Sequence, residues 1–480
     1  MQVRYKTNYL IIGSGAAGGT IFKELIDRGI DCLVVEEGEW LETKDFKKNF
    51  LDSLSSLWVD AGYQFSSGIS IIPMLQGKGI GGSTLINGAI MQKIEKNYIS
   101  KLKEIFRNDE VFNYDKLLLL QEEIVRLFNI KKNISHVIPN SKIENICKSL
   151  SWKADSQLRS APNCKFSENC LNGCPNNAKL TIQNTIFNKK KHKNVLEKTK
   201  VKQLIIKNSK TEFALCESNN QEFLIKAKKI ILCAGSIGSP KLLLKSKLKN
   251  KNIGKNFRCH LSSSVTGEMQ NNKNEVDRLP MGYQIITNNK KVGTFFSQSV
   301  PKEITVSRLP FYGKELLKSY AKLNNYSNWV SSVPSSSQGV VSLDIFGNSK
   351  IKFSISKEDI EKIIISSIEI AKFLFLLGAK RVFMPFKNGN ICTSIDQLEE
   401  IKNKNLSPKD LVIASSHLFG SCSPSTNPRE SVIGKDFRVK DIENLYVIDS
   451  SSLPLPTSYN PQLTIMVIAK AAINSILNYE

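Results

Sequence analysis

The pattern of apolar and polar positions changes quickly at the start of the chain. An uninterrupted apolar run at residues 9–12 reads as a short buried strand, and Gly13-Ser14-Gly15-Ala16-Ala17-Gly18 follows as a turn. A helix then passes through Leu25 and Ile26 and stops at Gly29, and a second apolar strand at 32–35 ends at Glu36. Later, residues 200–207 and 228–234 read as strands, the second closing on the small pair Ala234-Gly235. Ser239-Pro240 predicts a helix with proline in its first turn. Residues 339–346 and 350–355 read as strands. The apolar stretch 360–378 contains Glu361, Lys362, Glu369 and Lys372, with Ser356 placed three residues before Asp359 like a capping residue. It predicts a buried amphipathic helix and not a membrane span. The fold class expected is therefore α/β.

The first strand, turn, helix and strand form a βαβ unit of the dinucleotide-binding kind. Gly13 permits the tight turn, Gly15 lets backbone approach a pyrophosphate, Gly18 lets helix and strand pack closely, and Glu36 is placed to meet a ribose hydroxyl. A second glycine cluster, Gly77-Lys78-Gly79-Ile80-Gly81-Gly82-Ser83 continuing to Asn87-Gly88, supplies further amides for an anion, although a flexible loop would look the same. Two such loops suit a long, extended cofactor, which favours FAD over NAD.

Composition narrows the partners. At 480 residues two domains are expected, and 67 Lys+Arg against 44 Asp+Glu give a formal net charge of +23. Nucleic acid is not the expected partner: only 11 of the 67 are arginines, and the lysines are dispersed among Asn, Ser and aliphatic residues, apart from a short run at 189–193. The charge is left to explain docking to an acidic electron carrier or an anionic membrane face. Ten cysteines in irregular spacing do not make a secreted disulfide framework. With no export signal before the first strand, the expected location is cytoplasmic or peripheral to the membrane.

Two residue types carry candidate chemistry. Of four histidines, His136 and His192 lie in polar loops, His260 ends the run Gly254-Lys255-Asn256-Phe257-Arg258-Cys259-His260, and His417 stands where a strand opens into a small-residue loop ending at Gly420. Cys164, Cys170 and Cys174 share a turn-rich loop with C-x5-C-x3-C spacing. Zinc would require a fourth ligand, with Cys147 or His192 nearest in sequence. An iron-sulfur cluster and incidental cysteines are the remaining readings.

The first glycine unit with Val35-Glu36-Glu37-Gly38, the Gly79-Ile80-Gly81-Gly82-Ser83 loop, Ala234 to Pro240, His417-Leu418-Phe419-Gly420-Ser421-Cys422, Asn444 to Asp449, and Asn460-Pro461-Gln462-Leu463-Thr464 together resemble the glucose-methanol-choline oxidoreductases. The resemblance implies a Rossmann-like FAD-binding domain assembled from residues 1–100, 195–265 and 410–480. It leaves 101–194 and 266–409 for an α+β substrate domain, a sheet covered by helices, with the cysteine loop at 160–180. Val201 would meet the adenine through its backbone, and Asp449, Asn460, Pro461 and Thr464 would lie near the ribityl chain and flavin. His417 would be the base, with Asn460 as its partner, and His260 would belong to a structural turn of the family after the middle segment. The cysteine spacing resembles the sugar dehydrogenases of the family that hold a 3Fe-4S cluster. The implied activity is oxidation of the CH-OH group of a sugar or other polyol, with electrons passed to a cytochrome or quinone-linked carrier and association with a membrane or a small subunit allowed. A hydrogen-peroxide-forming alcohol oxidase with structural cysteines, and an inactive flavoprotein serving as a binding module, are the competing expectations.

Overall fold

The apolar runs become strands that are buried on both faces, as parallel strands between helices must be. In the computed structural model, which describes residues 2–47, 49–132, 140–187, 193–270, 281–289, 291–292, 294–387 and 391–478, the first strand spans Val3–Ile12 and lies between Cys32–Val35 and Gln221–Leu232. Both neighbours are parallel to it, and Leu445–Val447 adds a further parallel strand beyond Gln221–Leu232. The register aligns their carboxyl ends: Ile12 stands opposite both Val35 and Leu232, and Leu232 stands opposite Val447. Chain stretches hundreds of residues apart therefore deliver Gly13, Glu36, Ala234 and Asp449 to one edge, the place where open parallel sheets bind ligands. Two antiparallel strands, Lys200–Lys207 and Lys210–Ser218, extend this sheet, and Val195–Leu196 closes the other side against Val34 and Val35.

A second sheet is antiparallel and has its own apolar core. Among the described residues its order runs Ile391–Cys392, Ala379–Phe383, Arg258–Met269, Tyr326–Pro334, Thr294–Gln298, Tyr283–Ile286, Lys153–Ser156. The helix Lys357–Leu377 packs on it, with the Phe373 and Trp329 rings 4.7 Å apart. Ser356 caps that helix by accepting from the Asp359 amide at 3.1 Å, and Gly378 ends it in the left-handed region, much as the sequence predicts. Among the described residues no helix is long and apolar enough to cross a membrane. Strand Arg258–Met269 joins the two layers, because its first two residues pair with Leu418–Phe419 from the C-terminal segment.

Two local expectations need correction. The helix around Pro240 begins at Gly235, so the proline lies inside it and not in its first turn. Proline cannot donate to the carbonyl four residues back, and the Ser421 hydroxyl takes that place, donating to the Ser236 carbonyl at 2.6 Å. The strands expected at 339–346 and 350–355 are shorter, Val340–Leu343 and Ser349–Lys352. The Asp344 carboxylate accepts from the Phe346 and Asn348 amides and forces the chain to turn, and the hairpin pairs with Ser66–Ser67 in a separate small sheet.

Candidate active site

The two glycine loops meet. Gly13 adopts φ +102°, and a Cβ there would lie 2.4 Å from the Cys233 carbonyl oxygen, so only glycine fits between the two strand ends. A Cβ on Gly18 would sit 1.9 Å from the Gly13 carbonyl oxygen, whereas one on Gly15 would meet nothing within 4 Å. Gly15 precedes helix Ala16–Asp27, no side chain caps the first amides of that helix, and the space beside the Gly15 Cα is open. Gly82 approaches Gly15 from the second loop. Ser14 ties the loops together: its hydroxyl accepts from the Gly81 amide at 3.0 Å and donates to the Glu36 carboxylate at 2.8 Å. Glu36 also accepts from the Ser14 and Gly38 amides, both at 3.0 Å. Burial pushes its carboxyl above the usual carboxylate value, and those hydrogen bonds pull it back. The Ser83 hydroxyl closes the second loop on the Gly77 amide at 2.9 Å.

The other end of the cleft is assembled by the C-terminal segment. Asp449 accepts from the Gly235 amide at 2.8 Å, the Ser239 hydroxyl at 2.6 Å and the Ser451 amide at 2.7 Å, so this carboxylate fastens the strand end to the helix that starts at Gly235. The Thr199 amide donates to the Glu36 carbonyl at 2.9 Å, two residues before the half-buried Val201. Asn460 and Pro461 precede helix Gln462–Asn478, and the Thr464 hydroxyl donates to the Tyr459 hydroxyl at 3.1 Å. The Asn87 amide reaches the Gln462 side chain, so the second glycine loop and the start of the last helix are joined.

His417 lies next to this junction. Its Nε2 is 3.3 Å from Asn460 Nδ2, and its Nδ1 is 2.9 Å from Nδ1 of His260. His260 is fully buried, and its Nε2 is 2.7 Å from the Thr457 carbonyl oxygen. The two histidines face each other because their strands pair: Cys259 stands opposite Leu418, and the His260 amide donates to the His417 carbonyl at 3.0 Å. Ser262 then bridges to Ala414, so the His417 strand holds one extra residue over this span, a bulge of the kind that re-aims a side chain beside a site. Burial, and then the nearby His260, holds His417 well below the ordinary histidine value, and burial lowers His260 to about 4 although the Thr457 carbonyl raises it. Both rings are neutral at pH 7.

A family model for GMC oxidoreductase covers residues 7–262 of this chain, and a second, also for GMC oxidoreductase, covers residues 336–469. The chain belongs to the GMC oxidoreductases. An uncharacterized GMC-type oxidoreductase of Sinorhizobium fredii is 23% identical over all of this chain and 96% of its own length. A long-chain-alcohol oxidase of Arabidopsis thaliana is 22% identical over 97% of this chain and 67% of its own length. Pyridoxine 4-oxidase from Mesorbium loti has the same mixed α/β fold, with a TM-score of 0.72 at 13% identity over 99% of this chain and 100% of that one. A formate oxidase gives 0.74 at 14% identity over 100% and 99%.

GMC oxidoreductases bind FAD, and the residues of this one fit it: the open space over Gly15, the uncapped helix amides and the approach of Gly82 make a backbone cradle for a phosphate-bearing cofactor. The cysteine loop does not fit an iron-sulfur cluster. Among the described residues no group of three His, Cys, Asp or Glu side chains could hold a metal ion, and all ten cysteines are free. A cation lies beside two of the three sulfurs. The Arg159 guanidinium, fully buried, places Nη1 3.9 Å from Cys164 Sγ and Nη2 3.9 Å from Cys170 Sγ, with Nε donating to the Gly88 carbonyl. Buried Lys179 donates to the carbonyls of Leu85, Asn87 and Cys170 at 2.7, 3.0 and 3.0 Å, and Cys174 Sγ accepts from the Ala178 amide. The loop straps the second glycine run in place. Protein purified anaerobically is accordingly expected to contain no stoichiometric iron or acid-labile sulfide; one cluster per chain by iron analysis would contradict this.

Sequence reasoning missed three features of the site. Its expectation of a purely structural His260 overlooks the contact with His417. It also overlooks Gln92, Gln157 and Gln284: Gln92 Oε1 accepts from the Asn460 amide at 3.3 Å, and its Nε2 donates to the side chains of Gln157 and Gln284. Arg159 and Lys179 likewise carried no signal beyond being cations near the cysteines. His136, His192 and residues 189–192 of the lysine run lie outside the described residues.

Proposed function

We propose that this GMC oxidoreductase oxidises the CH-OH group of an alcohol, with His417 as the base and Asn460 as the hydrogen-bond donor to the substrate oxygen. The observation that carries the reading is the 3.3 Å separation of His417 Nε2 from Asn460 Nδ2, in a half-buried position beside the cofactor cradle. When bound, FAD supplies the hydride acceptor at flavin N5. A hydroxyl oxygen set between the two side chains donates its proton to Nε2 and accepts from the asparagine N–H. Negative charge developing on that oxygen is then met by a preorganised donor. The sheet with aligned strand ends, assembled from residues 1–100, 195–265 and 410–480, would be the FAD-binding domain, with the antiparallel sheet over the substrate. Glu36 and Val201 would mark the ribose and adenine end, and Asp449, Pro461 and Thr464 the flavin end. The polyhydroxylated substrate rests on the resemblance to the sugar dehydrogenases; the amides of Gln92, Gln157 and Gln284 beside Asn460 are bonded to one another.

A neutral His417 sets the pH dependence. Its proton affinity lies below the ordinary value of 6.5, so the base form persists as pH falls through that value. The acid limb of the kcat/KM profile is expected below 6.5; a limb at or above it would show a histidine that is not desolvated as described.

Without a cluster the acceptor is open between two readings. A dehydrogenase serving a cytochrome or quinone-linked carrier rests on the likeness of the cysteine spacing to the sugar dehydrogenases, which loses its weight without a cluster, and an oxidase is favoured by the names of relatives such as the Arabidopsis long-chain-alcohol oxidase. Turnover of a panel of sugars and alcohols with an artificial dye acceptor, set against peroxide formation in air, separates them. Failure of every substrate to bleach bound flavin anaerobically would leave only a binding role for the flavoprotein.

A further inference from the structure

We propose that His260 is a positioning residue that fixes the tautomer of His417, so that the lone pair of Nε2 faces the substrate. The inference rests on the reading of His417 as base, and it follows from counting donors along one hydrogen-bonded line. The Thr457 carbonyl can only accept, so the proton of neutral His260 is on Nε2, 2.7 Å away. His260 Nδ1 is then an acceptor. Its partner 2.9 Å away, Nδ1 of His417, must carry the proton of that ring. Nε2 of His417 is left unprotonated and points to Asn460 Nδ2, itself a donor. The opposite arrangement would set a protonated Nε2 against the asparagine N–H and two bare nitrogens against each other in a buried place.

The same line serves the charged form. Once Nε2 of His417 has taken the hydroxyl proton, Nδ1–H of the imidazolium still donates to His260, which helps disperse the charge. His260 touches no reacting atom. Its surroundings contain the His417 ring, edge-on with centroids 5.0 Å apart, and the Phe419 ring at 5.5 Å. The Thr457 carbonyl is therefore the group that orients it.

Two conservative variants divide the roles of the ring. His260→Asn retains an acceptor near the position of Nδ1, and His260→Gln retains a donor near that of Nε2. With FAD bound in each, the limiting rate of anaerobic flavin reduction is expected to fall about 10²–10⁴-fold in His260→Gln and His260→Phe with little change in apparent substrate affinity, and to recover within about tenfold of the parent in His260→Asn. A role confined to packing would not rank Asn above Gln. In the parent enzyme uniformly labelled with ¹⁵N-histidine, with resonances assigned from the variants, His417 is expected as the Nδ1–H tautomer and His260 as Nε2–H. Parent-like reduction by His260→Phe, or an Nε2–H tautomer of His417 in the parent enzyme, would overturn the inference while leaving the base assignment intact. Rapid reduction by His417→Ala would remove the base assignment itself.

Discussion

His417→Ala is expected to retain FAD and to lose about 10²–10⁴-fold in the rate at which an alcohol reduces the flavin, the usual contribution of a positioned general base. The basis is geometric. His260 and His417 are the two described histidines, and Nε2 of His417 is the ring nitrogen left free by the relay from Thr457. The substitution removes a half-buried ring at the mouth of the site, so the loss should appear in reduction rate and not in cofactor content. Anaerobic stopped-flow absorbance at the flavin band measures both. A rate within a few-fold of the parent would exclude the base assignment.

Gly18→Ala is expected to have the second large effect, on cofactor retention. A methyl group there would stand 1.9 Å from the Gly13 carbonyl oxygen, and the obstacle is backbone, which cannot rotate away. Helix Ala16–Asp27 would have to move off strand Val3–Ile12, and the amides that start the helix would move with it. The protein should be recovered as apoprotein or fail to accumulate. Gly15→Ala is the control, because a methyl group there meets nothing in the protein within 4 Å. It should fold normally and weaken FAD binding only through contact with the cofactor. Flavin absorbance relative to protein absorbance distinguishes the two, and equal retention in both would contradict the packing argument.

What could be read in the sequence was local or periodic. The apolar strands at 9–12 and 32–35 and the glycines between them fix the start of the fold because each acts on its immediate neighbours. The same is true of the cap at Ser356, three residues from the amide it accepts. The proline helix was misplaced because its start is set from a distance: Asp449 holds the Gly235 amide, and Ser421 fills the hydrogen bond that Pro240 cannot make. The cysteine spacing suggested a metal through its resemblance, but spacing does not say what lies in a loop, and here Arg159 lies beside two of the three sulfurs. His260 was assigned to a structural turn from its resemblance, and its contact with His417 was missed because that partner is 157 residues away and only strand pairing with a bulge brings the two rings together. The family motifs therefore indicated which residues converge, while the tautomer, the amide block and the cation among the cysteines required the tertiary structure.

The central claim is that this chain removes a hydride from an alcohol carbon while His417 takes the hydroxyl proton. Anaerobic flavin reduction by a reactive alcohol, compared with the same alcohol deuterated at the carbinol carbon, tests it most directly. The account predicts flavin bleaching that is slowed by the deuterium and lost in His417→Ala. Flavin that no alcohol or sugar reduces, or reduction that His417→Ala carries out as fast as the parent, would contradict it.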